Sequence, residues 1–208
     1  NLFLQNYQKP NLAIIGGSKI STKINLLFNL VEHCDVIAIG GAMANTFLLA
    51  KKIKIGKSFC EENLSEIALS ILKKAKKFKC KIIIPIDAVC ANDLKNNVAT
   101  RYCEITNILS NQMILDIGYK TTKMITDYIL KSKTVLWNGP LGAFEYKPFN
   151  ESSVQIANFI NKNSKLLNIL SIAGGGDTIS VIKIAKAANG FSYISKAGGA
   201  FLEWLEGN

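Results

Sequence analysis

Along this chain, short apolar runs alternate with stretches in which apolar residues recur every three or four positions. Residues 12–15, 36–39, 81–84, 113–115, 134–137 and 169–173 are compact apolar runs with strand-like length. Between them, residues 23–31, 42–49, 61–78, 121–130, 151–161 and 179–188 carry a helical period. The longest of these places Leu64, Ile67, Ala68, Ile71, Leu72 and Ala75 on one face. Residues 98–104 read as an extra strand or hairpin arm, Tyr193-Ile194 as a last strand, and 199–205 as a short closing helix. Regular strand–helix alternation predicts an α/β fold: a doubly wound parallel sheet with helices on both faces, a Rossmann-like three-layer sandwich. No Pro-, Gly- or Ser-rich linker interrupts residues 1–208, so the pattern reads as a single domain.

Glycines gather where the strands end. Gly16-Gly17, Gly40-Gly41, Asp116-Ile117-Gly118, Asn138-Gly139-Pro140 and Gly174-Gly175-Gly176 each follow an apolar run. In open parallel sheets, ligands collect beyond the carboxyl ends of the strands. Gly174-Gly175-Gly176-Asp177-Thr178 lets a phosphate approach the backbone at a helix N-terminus, where free N–H groups carry partial positive charge. Asp177 is there either as a plain N-cap or as a carboxylate for Mg²⁺. After the first strand, Lys19 and Lys23 stand four apart in Gly16-Gly17-Ser18-Lys19-Ile20-Ser21-Thr22-Lys23. They are either solvated surface lysines or cations that meet different phosphoryl oxygens. The spacing matches neither GxxxxGK[ST] nor GxGxxG, which removes the sequence basis for a P-loop or a dinucleotide-dependent dehydrogenase. In Trp137-Asn138-Gly139-Pro140-Leu141-Gly142-Ala143-Phe144-Glu145, a rigid loop carries a carboxylate suited to ribose hydroxyls and an amide suited to phosphate. Trp137 and Phe144 read as core packing rather than base stacking.

Composition narrows the classes. The net charge of +10 is almost all lysine, with Arg101 the sole arginine, and the lysines are dispersed apart from a cluster at 73–81. A nucleic-acid binder concentrates arginine and aromatics on one face, which argues against nucleic acid here, and anionic ligands such as nucleotides fit the charge equally well. No apolar run reaches eighteen residues, against a membrane span. Five dispersed cysteines without CxxC spacing and a single histidine, His33, argue against zinc and for a reducing, cytoplasmic setting. A chain that starts at Asn1 is expected to be a piece of something longer.

The motifs, in order, resemble the nucleotide-binding, C-terminal half of phosphoglycerate kinase. The chain reads GGSKISTKI, GGAMANTF, DIGYKT, WNGPLGAFE, GGGDT and SKAGGAFLE, where the family has GGAKVxxKI, GGGMANTF, DIGPKT, WNGPMGVFE, GGGDT and STGGGASLE. The resemblance runs from about Asn11 to Gly207. It implies Mg-dependent phosphoryl transfer between 1,3-bisphosphoglycerate and ADP, giving 3-phosphoglycerate and ATP, in a glycolytic, cytoplasmic, monomeric enzyme. It implies that Lys19 holds the transferring phosphoryl group and Lys23 the nucleotide phosphates, that Asp177 ligates Mg²⁺, and that Thr178 assists at the phosphates. Asn138 would touch the phosphates and Glu145 the ribose. Gly17, Gly40, Gly41 and Gly142 would line the nucleoside pocket, and Gly175, Gly176, Gly198 and Gly199 would offer N–H groups to the moving phosphoryl. The family's other domain, with its arginine-rich phosphoglycerate site, has no counterpart in these residues, so the isolated chain is expected to bind nucleotide without turnover. Lys196 and Ala197 replace a Thr and a Gly of the family pattern, and Tyr119 replaces a Pro. The alternative these departures leave is a non-catalytic nucleotide-binding fragment or regulatory module on the same fold.

Overall fold

A computed structural model describes residues 8–195. Six strands form the central sheet: β1 (Asn11–Ile15), β2 (Val36–Ile39), β3 (Lys81–Ile83), β7 (Thr134–Asn138), β8 (Leu170–Gly174) and β9 (Tyr193–Ser195). Their order is β3-β2-β1-β7-β8-β9, and every neighbouring pair is parallel. Helices α1 (Ile24–His33), α2 (Met43–Ala50) and α3 (Ser65–Lys77) cover one face, and α4 (Tyr119–Lys131), α5 (Glu151–Asn163) and α6 (Gly176–Ile184) the other. Successive side chains on a strand point to opposite faces. Ala13, Ile15, Ile37 and Ile39 therefore pack on α1–α3, while Leu12, Ile14, Ala38 and Trp137 pack on α4–α6. Burial on both faces is why these strands are continuous apolar runs in the sequence.

The chain enters at β1 in the middle of the sheet, winds outward to β3, returns beside β1 as β7 and winds outward again to β9. The winding direction reverses between β1 and β7. At such a switch point the loops leaving adjacent strands diverge and open a crevice.

A second sheet was only partly legible. β4 (Asp87–Ala91), β5 (Arg101–Glu104) and β6 (Met113–Ile117) form an antiparallel sheet in the order β5-β4-β6. The apolar run at 113–115 thus sits outside the parallel sheet, and the hairpin arm expected near 98–104 is β5. Its inner face meets the end of α2 through Leu48, Ile55, Ala88, Cys90, Cys103 and Ile105.

Two helices begin differently from their local pattern. The stretch 61–78 divides into a 3₁₀ turn at Glu62–Leu64 and then α3. Helix α4 begins at Tyr119 because Asp87, on β4, accepts the N–H groups of Lys120 (2.7 Å) and Thr121 (2.9 Å). That carboxylate satisfies helix donors that would otherwise be orphaned. All five cysteines are free. Burial pushes the Cys80 and Cys90 thiols up to about 12, so they act as packing groups rather than nucleophiles. Among the described residues, no helix is long and apolar enough to cross a membrane.

Candidate functional site

The loops after β1, β2 and β7 interlock through their backbones. Gly16 N–H donates to Asn138 O (2.9 Å), Gly17 N–H to Pro140 O (3.0 Å), Gly41 N–H to Leu141 O (2.8 Å) and Met43 N–H to Gly17 O (3.0 Å). This close approach needs Gly41: its φ is 67°, and a Cβ there would sit 2.4 Å from Gly17 O.

Beside these loops lies a cavity of about 460 Å³. Gly17, Gly41, Asn45, Asp116, Gly142 and Asp177 contribute to its wall, with Glu145 and Phe144 from the loop after β7. Leu94, Met113, Leu115 and Pro85 make one side apolar. A mostly apolar concavity with a few convergent polar groups is the usual form of a small-ligand site. Asn45 is fully buried there; its Nδ2 donates to Phe59 O (2.9 Å), and its Oδ1 has no hydrogen-bond partner. Gly142 is pressed against Asp116, since a Cβ on it would lie 2.3 Å from Asp116 Oδ1 and 2.5 Å from Phe149 O.

Asp116 closes the floor of the cavity. Its carboxylate accepts from Ser152 Oγ, Ser152 N–H (3.1 Å) and Ile117 N–H (2.9 Å). Burial pushes it up to about 7, and the hydrogen bonds from Ser152 only partly oppose that rise.

The cationic element is Lys23, which ends the 3₁₀ turn Ser21–Lys23. Glu61 pins the start of that turn by accepting from Ser21 N–H (3.0 Å) and Ser21 Oγ (2.6 Å). Lys23 is 8% exposed, and its ammonium donates to Asn138 O (3.1 Å) and Asn138 Oδ1 (2.5 Å). Burial pulls it from the ordinary 10.5 to about 8, with the Asp177 carboxylate pulling back upward. Asn138 Nδ2 donates in turn to Gly174 O (2.9 Å), and Gly139 N–H donates to Thr178 Oγ1 (2.7 Å). One network therefore ties together the ends of β1, β7 and β8.

The family model described as phosphoglycerate kinase matches residues 1–208. The chain belongs to the phosphoglycerate kinase family. The phosphoglycerate kinase of Xanthobacter autotrophicus is 48% identical over 199 residues, which is 96% of this chain and 50% of that protein. That of Xanthobacter flavus is 47% identical over 204 residues, 98% of this chain and 51% of the relative. The solved phosphoglycerate kinase of Coxiella burnetii superposes with a TM-score of 0.93 at 38% identity, over 98% of this chain and 51% of that one. The chain spans about half the length of the curated relatives it matches.

Within this family fold, the residues singled out in the sequence mostly converge. Gly17, Gly41, Gly142, Glu145 and Asp177 line the same cavity. Lys23, Asn138 and Thr178 lie in the network beside it, and Gly40 sits beneath Leu141. Gly175 adjoins the Asn138 amide, and Gly176 opens α6 on the surface. Lys19 is exposed on the loop between Gly17 and the 3₁₀ turn. Gly198 and Gly199, with the closing helix expected after them, lie outside the described residues. Trp137 is fully buried in the core, as its packing role requires. Asp116 and Asn45 belong to the DIGYKT and GGAMANTF motifs, but the sequence assigned neither of them a role of its own. Strand-end and helix-start position was the available signal for both.

Proposed function

We propose that this chain is the nucleotide-binding half of a phosphoglycerate kinase, supplying the ADP/ATP site for reversible phosphoryl transfer with 1,3-bisphosphoglycerate. The observation that carries the reading is a buried ammonium, Lys23, electrostatically coupled to the exposed Asp177 carboxylate beside a mostly apolar cavity at the switch point. Cation, carboxylate and apolar slot match phosphates, metal and base in that order.

The donor set fits Mg²⁺. Among the described residues, no three His, Cys, Asp or Glu side chains gather to form a cage. A metal held by one carboxylate and otherwise by phosphate and water oxygens is the usual form of Mg-nucleotide binding. Asp177 would hold it, and the ion would neutralise phosphate charge. Lys23 and Lys19 would balance the remaining negative charge, and Thr178 would fix the approach of α6. The N–H groups at Gly175 and Gly176 would face developing charge on the transferred group. Glu145, exposed on the cavity wall, would accept from ribose hydroxyls. An acyl phosphate needs no general base, so positioning and charge balance are the protein's whole task.

The phosphoglycerate site would come from a second half, so this chain by itself binds nucleotide and does not turn over, as a cytoplasmic monomer without nucleic-acid or membrane partners. Gly198 and Gly199 would complete the phosphoryl cradle. Calorimetric titration with ADP tests the reading: Mg²⁺ should strengthen binding in the wild type and leave Asp177→Asn unaffected. Equal Mg²⁺ dependence in both proteins would reject the assignment. The substitutions Lys196 and Ala197 favour one alternative, a non-catalytic module. ATP formation after fusion to a complete substrate domain from the family would exclude it.

A further inference from the structure

We propose, resting on the nucleotide reading above, that Glu61 is a positioning residue. It clasps the loop on the apolar side of the cavity to the turn that carries Lys19 and Lys23, so that the base and the phosphates of one nucleotide are met at a fixed separation. Its Oε2 accepts from Ser21 N–H (3.0 Å) and its Oε1 from Ser21 Oγ (2.6 Å). Phe59, two residues before Glu61, lines the cavity and is 51% exposed. Lys19 and Lys23 stand two residues to either side of Ser21.

Each side is ordered without this carboxylate. The loop is tied to α2, where Asn45 Nδ2 donates to Phe59 O (2.9 Å) and Glu61 N–H donates to Thr46 Oγ1 (3.1 Å). It is tied to β6 where Ile114 N–H donates to Ser58 Oγ (2.8 Å). The turn is closed by Lys23 N–H on Ile20 O (2.8 Å) and by Thr22 Oγ1 on Lys19 O (2.9 Å), and Lys23 Nζ holds it to Asn138. What the Glu61 side chain adds is the relative placement of loop and turn, through a two-pronged, charge-assisted contact that fixes geometry. A ligand that touches one side alone does not sense that placement. A ligand that reaches from one side to the other does, because a fixed separation spares it the ordering of two independent surfaces.

Three probes separate the sides: ADP, adenosine and pyrophosphate, each titrated with Mg²⁺ present and followed by NMR chemical shifts. Glu61→Ala is expected to weaken ADP about three- to tenfold, while adenosine and pyrophosphate stay within about twofold of their wild-type affinities. Glu61→Gln should return ADP to within about twofold of wild type, because its carboxamide oxygen can accept from Ser21 N–H and its NH₂ group can donate to Ser21 Oγ. Ser21→Ala should weaken ADP less than Glu61→Ala does, and the double variant should bind as Glu61→Ala alone. Equal weakening of ADP and pyrophosphate, or of ADP and adenosine, puts the effect of Glu61 on one side only and overturns the proposal. Unchanged ADP affinity in Glu61→Ala overturns it too. A Glu61→Gln variant as weak as Glu61→Ala assigns the effect to the carboxylate's charge and overturns the clasp. All of these outcomes leave the nucleotide reading standing. No Mg-ADP binding by the wild type overturns that reading and this proposal together.

Discussion

Lys23→Met should change how stability depends on pH, and the size of the change follows from burial. Lys23 is 8% exposed, and its ammonium is pulled from 10.5 to about 8 chiefly by loss of solvation. Each pH unit of that difference corresponds to about 1.4 kcal/mol, so the whole interval is worth about 3 kcal/mol. The sign is fixed by which state holds the proton. Between about pH 8 and 10.5 the unfolded chain keeps the lysine protonated and the folded chain does not, so stability rises with pH across that window. The penalty of a buried charge is fully present below about pH 8 and is relieved above 10.5. Methionine carries no charge, so the variant lacks this rise. It also leaves Asn138 O and Oδ1 without the lysine donor, but that loss is the same at every pH. The buried thiols titrate in both proteins and cancel in the difference. Urea unfolding of both proteins at half-unit steps from pH 7 to 10.5 measures it. The wild type should gain about 3 kcal/mol on the variant across the window. A difference that stays flat within about 0.5 kcal/mol would show that Lys23 is solvated in solution.

Two further perturbations probe the scaffold. Asp87→Ala removes the acceptor for Lys120 N–H, Thr121 N–H, Thr121 Oγ1 and Tyr102 Oη, which should lower stability by about 3 kcal/mol in urea unfolding. Gly41→Ala forces a positive φ on alanine and brings its Cβ to 2.4 Å from Gly17 O, so a loss of about 2 kcal/mol or more is expected. Its thermal unfolding midpoint should fall accordingly, and its Mg-ADP affinity should fall with it because Gly17 is displaced.

The parallel sheet was readable because its four central strands, β2, β1, β7 and β8, are buried on both faces. Val36–Ile39 has no polar residue to interrupt it, and Gly40-Gly41 marks its end. β4 offered no such signal. Asp87-Ala88-Val89-Cys90-Ala91 is made mostly of small residues, and its partners lie ten or more residues away at Arg101–Glu104 and Met113–Ile117. Its identity is set by pairing across chain distance, which local periodicity cannot carry. The early start of α4 has the same origin, since its cap is donated by a different strand. For the candidate site, the glycine motifs after β1, β2, β7 and β8 lie together at the carboxyl edge of the parallel sheet, because strand ends and switch points follow from connectivity. Residue type could not tell Lys19 from Lys23. Both belong to one motif, yet one is exposed and the other is buried against Asn138.

That contrast bears on why such a lysine exists at all. A surface ammonium is stable and well hydrated, and stability alone would favour it at both positions. Lys23 is instead held at a cost of about 3 kcal/mol, within loops that share four backbone hydrogen bonds and admit no side chain at Gly41. A fold tolerates a destabilised group of this kind when its surroundings over-determine it, and such groups concentrate where a ligand recovers the difference. Under the proposed nucleotide reading, an incoming phosphate would pair with the buried cation, and the free energy lost on burying it would become available for binding. The sheet supplies the rigidity for this through the β1–β7 register, which pairs Ile15 with Asn138 and fixes where the lysine's acceptor lies. Moving the reversal of winding one strand away would keep every helix amphipathic and every strand apolar. It would also separate Lys23 from Asn138, and the site would be lost while the fold remained.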